Sequence, residues 1–490
     1  MNDKRLKMYG GVYGGLIPIG ILLVGLIWLS VAGMGGTTPF WAAGWAALAL
    51  GILFAKDKYH YCEAIIRGIS DRNGMIIVCA ALFAGVFGVL MVAGGLVEGL
   101  LWFGFSTGAQ GVAFTLIAFI AAMIFSMGTG DSTGTILALA PVLYPAGFFL
   151  GADPTMLALA ILSGAVFGDN LAPISDTTIV SASTQGATMR DVVRTRFPLS
   201  ITAALITFIV LAVFGGGGKV QALPEMDAAM NPSGLFMLAA LAVVLISSLS
   251  GRHIIESLIW GNLSAMAIGL LTQNISIKHI FHIPSSREMS TGIIQDGITG
   301  VTGVIVFVLL VLAITQILIE SGIMDRLLNW TLRVVAKTVR SAELSIIFTT
   351  ILVSIPISAN TPAELLVGPT FVKKVGEKFK LSPARRANLM DCAVCTIFYT
   401  MPWHIAVVVW YSTISSAAGE WGIIAPSIAS AFINPYSWAL LAVLLFSAIT
   451  GWNRKYATDA ELALIEGEEI DEIDKAVREQ KESVTGLQSI

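Results

Sequence analysis

Uncharged, mostly apolar runs alternate with short polar stretches along almost the whole chain. A helix needs about 20 such residues to cross a bilayer. Runs of or near that length recur at Gly15 to Val31, Pro39 to Phe54, Met75 to Val97, Val112 to Ser126, Pro154 to Phe167, Leu199 to Phe214, Leu235 to Leu249, Ile254 to Leu271, Ile298 to Ile319 and Leu344 to Ile357. Shorter ones follow at Ile405 to Ile414, Ile423 to Phe432 and Trp438 to Ile449. The pattern predicts an all-α polytopic membrane protein of roughly 11–13 membrane segments. Phe103 to Gln110 reads as a small connection. Ile136 to Leu150, which holds Pro141 and Pro145, reads as a kinked span or a hairpin arm.

Four polar stretches interrupt this pattern: Met127 to Thr135 with Asp131, Gly168 to Thr178 beside Asp169 and Asp176, Ser354 to Glu364, and Asp391 to His404. Ionisable groups inside a membrane are costly unless paired, hydrated or ion-bound, and are read first as functional. Irregular backbone at that depth is tolerated inside protein or against a watery cavity. Gly168 and Pro173 argue against one unbroken helix around Asp169. Asp169 and Asp176, seven apart, would align on a continuous helix; a break at Pro173 would place them on its two sides. Each aspartate also has a structural reading, as a helix cap or hydrogen-bond partner, and Asp131 suits an N-cap before Ile136. His404 reads as a packing or interfacial histidine.

Composition sharpens this picture. Charged residues make up 12% of the chain, against about 25% in soluble domains, so a large soluble protein is excluded. The basic residues cluster: Lys4, Arg5 and Lys7; Lys56 to Arg72; Arg190, Arg194 and Arg196; Arg252 with His253; and Lys373 to Arg386. The positive-inside tendency makes these clusters and both termini cytoplasmic. The first apolar run exceeds a signal core, so it is expected to be a retained span. Arg326, Arg333, Lys337 and Arg340 recur at helical spacing and suit an amphipathic interfacial helix or charged linker. Gly215 to Lys219 lacks phosphate-loop spacing and opens an exposed loop ending near Asn231. Cys392 and Cys395 have no zinc-site companions and read as small buried residues. The tail from Gly451 is acidic and reads as solvent-facing.

The four interruptions fall in the same order in two halves, 1–230 and 231–450, followed by a cytoplasmic tail, 451–490. Inverted halves would displace the basic clusters as seen here, and secondary transporters use such repeats with broken helices or re-entrant hairpins meeting near the midplane. The expected class is therefore an inverted-repeat secondary transporter.

The interruptions also carry a family pattern. Phe167 to Thr178, FGDNLAPISDTT, resembles the hallmark of the NhaC family of sodium/proton antiporters, and Ser126 to Pro141, SMGTGDSTGTILALAP, is similar to the Gly/Thr-rich break that precedes it. The family often has Ser or Cys-Ser where this chain has Leu171 and Ala172, a departure that bears on ion or substrate preference. The resemblance implies a bacterial or archaeal inner-membrane protein that exports sodium in exchange for protons by alternating access. It implies no enzyme activity, no cofactor and no nucleic-acid partner. The wider family exchanges organic acids as well, so a sodium-coupled organic-acid or amino-acid carrier is the alternative, and an organic co-substrate and a homodimer stay open beside membrane lipid.

Sodium favours hard oxygen ligands, which carboxylates, hydroxyls, amides and free backbone carbonyls supply. The candidates for ion binding or proton coupling are Asp169, Asn170, Ser175, Asp176, Thr177, Thr178, Asp131 and Thr133, with Asn360, Thr361, Glu364 and Asp391 in the second half. Asp169, Asp176 and Asp131 are the candidate sodium ligands. Channels and membrane enzymes are the remaining classes, and neither a filter repeat nor an HxxxH pair is evident.

Overall fold

Ten helices among the described residues are long and apolar enough to cross a membrane, and Pro383–Thr400 with Ile405–Glu420 form an eleventh candidate as a pair bent by 41°. The computed structural model describes residues 5–31, 37–218, 220, 231–280, 292–323, 326, 338–357 and 360–463. The helices start where the sequence supplies caps. Asp71, Asp153 and Ser382 accept the backbone N–H groups of Gly74, Met156 and Arg385, opening the helices Arg72–Ala93, Pro154–Leu171 and Pro383–Val394. Proline stands at the start of the last two, where its missing N–H costs nothing.

At the centre lies Ser132–Phe149, 94% of it buried. It is apolar all round, as a helix without a lipid face should be. Arg72–Ala93, Leu96–Thr107, Pro154–Leu171 and Ile405–Glu420 pack around it. The long helix Ile293–Glu320 lies against Arg72–Ala93, Thr37–Gly51 and Lys58–Ile69 on the other side.

Several expectations are corrected. Ser132–Phe149 is one continuous helix through Pro141 and Pro145 and long enough to cross a membrane, not a hairpin arm. Gly88 leaves room beside the Pro141 ring and the Leu137 carbonyl; a Cβ there would stand 2.9 Å from that carbonyl. Phe103 to Gln110 is not a connection throughout, because Leu96–Thr107 is helical. Ile423 to Phe432 forms no span of its own; a 3-10 turn Ile428–Ile433 leads into Pro435–Thr450. Pro154–Leu171 runs straight through Gly168. Not every basic cluster is a surface signal either: Arg196, Arg385 and Arg386 are buried. The charged segment 327–337, most of the loop after Gly215, part of the connector 274–294 and the tail beyond 463 lie outside the described residues. The start of the tail is tied down: Ser382 donates its backbone N–H to the Lys455 carbonyl, and Arg454 pairs with buried Glu343 at 2.7 Å.

Gly168 serves contact rather than flexibility. With Gly164, four residues earlier, it lets Pro154–Leu171 approach Val112–Thr129 closely, a small-residue packing typical of membrane helices. A Cβ at Gly168 would stand 2.3 Å from Ser126 Cβ and 2.4 Å from Met127 N. Gly168→Ala should therefore lower stability by about 1–3 kcal/mol, read as a lower unfolding temperature in detergent. Gly300→Ala, with open space around its position, should leave that temperature unchanged.

Candidate ion-binding site

The four interruptions meet. Val112–Thr129 ends at Gly130, whose φ of 68° is left-handed and whose missing side chain leaves room for the second break: a Cβ would stand 2.8 Å from Ile174 Cγ1 and 2.9 Å from Ser175 N. Asp131 then caps Ser132–Phe149, its two oxygens accepting the N–H groups of Thr133 at 2.9 Å and Gly134 at 2.8 Å. In the second break Pro154–Leu171 ends, Ala172 and Ser175 are extended, and Asp176–Gln185 begins. Asp169 and Asp176 thus flank the break. Asp169 is 8% exposed, whereas Asp176 is exposed.

Three hydroxyl groups converge on Asp169. Ser175 Oγ donates to Oδ1 at 2.6 Å, Ser132 Oγ donates to Oδ2 at 3.0 Å, and the Tyr399 hydroxyl donates to the same Oδ2. Tyr399 comes from the fourth break, a 3-10 turn Ile397–Thr400 between Pro383–Val394 and Ile405–Glu420. The third break joins through Asn360, whose Nδ2 donates to the Tyr399 oxygen at 3.0 Å and whose Oδ1 lies 3.2 Å from His404 Nε2. Hydrogen bonds to an ionised carboxylate are stronger than neutral ones, so the three donors can hold Asp169 as a carboxylate without a basic residue. Their oxygens keep free lone pairs.

A cavity of about 490 Å³ reaches this cluster, lined by Asp131, Thr133, Asp169, Asp176, Thr177, Asn360, Thr361, Tyr399 and His404. Asp71, Arg72, Arg252 and His253 line it as well. A second cavity, of about 320 Å³, lies further along the same four helices: Val89 against Ile77, Pro141 against Thr133, Val301 against Leu312, and Ser416 against Ala406. Asp296 and Glu420 line this second cavity.

The remaining candidates form a separate, dry cluster. Arg196 Nη1 lies 2.6 Å from Asp391 Oδ2, with both side chains 0% exposed. Arg196 also donates to the Asn170 carbonyl at 2.6 Å, to Thr178 Oγ1 at 2.9 Å and to Asn388 Oδ1 at 2.9 Å. Ser181 donates to Asp391 at 3.1 Å, and the Asn170 side chain accepts from Ser200 and Tyr436. Glu364 is buried with neither oxygen hydrogen-bonded among the described residues.

The structure therefore brings Asp131, Thr133, Asp169, Ser175, Asp176, Thr177, Asn360 and Thr361 to or beside the larger cavity, and Asn170, Thr178 and Asp391 to the dry cluster. Asp131, Asp169 and Asp176 do not converge as one ligand set: among the described residues no three acidic, histidine or cysteine groups do. Sequence reasoning missed Ser132, Tyr399 and Arg196. Ser132 and Tyr399 lay inside named breaks without being singled out, and Arg196 was read only as part of a basic cluster.

The chain matches the Na+/H+ antiporter family over residues 13–216 and 227–443. It is 24% identical to the Na(+)/H(+) antiporter NhaC of Alkalihalophilus pseudofirmus over 72% of this chain and 78% of that protein. It is 28% identical to the Malate-2H(+)/Na(+)-lactate antiporter of Bacillus subtilis over 57% of this chain and 62% of that protein, so that match spans less than two thirds of the relative. It is 24% identical to the Arginine/ornithine antiporter ArcD of Halobacterium salinarum over 59% of this chain and 64% of that protein. With its sites meeting at helix breaks and the family match extending over nearly all of the membrane region, the chain belongs to the Na+/H+ antiporter family.

Proposed function

We propose that this protein is a secondary active antiporter that exports sodium in exchange for protons by alternating access, with Asp169 as the cation seat. The observation that carries this reading is a buried carboxylate on a cavity, bonded by neutral hydroxyls from three breaks, one of which is held in turn by Asn360 of the remaining break. Sodium needs hard oxygens and no cofactor. Asp169, Ser132, Ser175, Tyr399 and Asn360 supply them. Arg72, Arg252 and His253 line the larger cavity, and by the positive-inside tendency this supports a cytoplasmic opening, with both termini on the same side. The smaller cavity, further along the same four helices, would then mark the path to the opposite face.

A second reading rests on volume. About 490 Å³ is far more than a bare sodium ion fills, and lies within the roughly 300–1,000 Å³ of small-molecule sites. Arg72 could then face a carboxylate of an organic co-substrate.

Purified protein in liposomes separates the two. With an inward sodium gradient the lumen should alkalinise, because protons leave as sodium enters; reversing the gradient should acidify it. Sodium-driven proton flux without added organic solute supports the antiporter. Flux that appears only on adding lactate, malate or arginine supports the organic exchanger. Absence of both from folded protein rejects the two readings.

A further inference from the structure

Glu364 has no structural task. It sits one turn beyond Asn360 and Thr361 on the helix Asn360–Val367, is 0% exposed, and neither carboxyl oxygen has a hydrogen-bond partner among the described residues. A structural glutamate in the interior would either accept from donors or, when protonated, donate to an acceptor. Pro383–Val394, packed against its helix, carries Asp391 with its partner Arg196, and Asp176–Gln185, also packed against it, begins just after the break that follows Asp169. The neighbouring helix Val339–Ser354 contributes Glu343, already taken by Arg385 and Arg454, and Asp176 on Asp176–Gln185 is exposed to the cavity.

The charges in this cluster do not balance. Arg196 is bonded to Asp391, and Asp169 has its three hydroxyl donors. Among the described residues, no donor or counter-charge is left for Glu364. A bare ionised carboxylate in such surroundings is very costly, and the group neutralises instead. It must therefore hold a proton whenever no cation is near. Sodium seated at Asp169 would supply positive charge nearby and favour release of that proton; a negative Glu364 would in turn favour sodium. Such coupling is reciprocal, and it makes the two ions alternatives without requiring them to share one carboxylate.

We propose that Glu364 is the proton-carrying carboxyl of this transporter, separate from the cation seat at Asp169 and set against it by charge. This deepens the antiport reading and rests on it. The test is Glu364→Gln in liposomes, with two readouts. Exchange of radiolabelled sodium against unlabelled sodium should persist at saturating sodium, because the Asp169 seat is intact, but should half-saturate at a higher sodium concentration, because the neutral glutamine no longer favours the cation. The sodium-driven change in lumenal pH should fall by at least about tenfold. Glu364→Asp, which keeps a carboxyl, should recover a measurable part of it. Proton flux unchanged in Glu364→Gln would overturn the proposal, as would loss of sodium/sodium exchange in a variant that runs as a monodisperse peak, or an aspartate variant as inert as the glutamine one. If the unmodified protein moves no protons against sodium, the antiport reading itself fails; if it does and Glu364→Gln does too, only the assignment of Glu364 falls.

Discussion

Asp169→Asn should reduce sodium-driven proton movement in liposomes to the level of protein-free vesicles while leaving the protein folded. Asparagine keeps the shape of the side chain but removes the carboxylate on which hydroxyls from three breaks converge. Its amide nitrogen would also meet a hydroxyl donor where an acceptor had been, a mismatch of about 1–3 kcal/mol. That is small enough for a protein of this size to survive, and it can be checked as an unfolding temperature in detergent. Asp131→Asn is the informative companion. Asp131 lines the same cavity, yet both its oxygens are engaged by backbone N–H groups at the start of Ser132–Phe149. Asparagine caps helices about as well as aspartate, although its one oxygen can serve only one of the two N–H groups, so this variant should fold with a modest loss of stability and still exchange. Equal loss in both variants, each folded, would show that the cation needs two carboxylates and that Asp169 is not its principal seat.

The contrast between these aspartates shows what was legible in the sequence. The helical membrane fold follows from the length of the apolar runs, and the four breaks were visible because polar residues, glycine and proline cluster there. Pro173 left two arrangements open for Asp169 and Asp176, one helix face or the two sides of a break, and the structure shows the second. That one is buried and the other exposed did not, because local spacing does not say which neighbour covers a side chain. Tyr399 is the plainest example. Nothing in its own turn distinguishes it from a packing aromatic, and its role comes from Asp169, Ser132 and Asn360, brought to it from three other breaks. Gly168 misled in the opposite direction: it suggests a break, whereas its lack of a side chain admits the neighbouring helix.

Arg196 misled for a related reason, and carries the other large expected effect. With Arg190 and Arg194 it reads as a basic cytoplasmic cluster, and those two are exposed. Arg196 instead turns inward and binds Asp391, nearly two hundred residues away, joining the first half of the chain to the second. Removing one member of a buried ion pair strands the other and costs about 3–5 kcal/mol. Arg196→Met and Asp391→Asn should each therefore lower the unfolding temperature sharply, and the yield of monodisperse protein with it. The double variant should be more stable than the sum of the two losses implies, because no uncompensated charge remains. It should not return to the original value, since Asn170, Thr178 and Asn388 would still lose their shared donor, at about 1–3 kcal/mol for each group left unsatisfied. Strictly additive losses would mean that the two side chains do not act as a pair. The same geometry bears on substrate choice: with Arg196 committed to Asp391 and absent from the cavity lining, it is not available to anchor an organic anion.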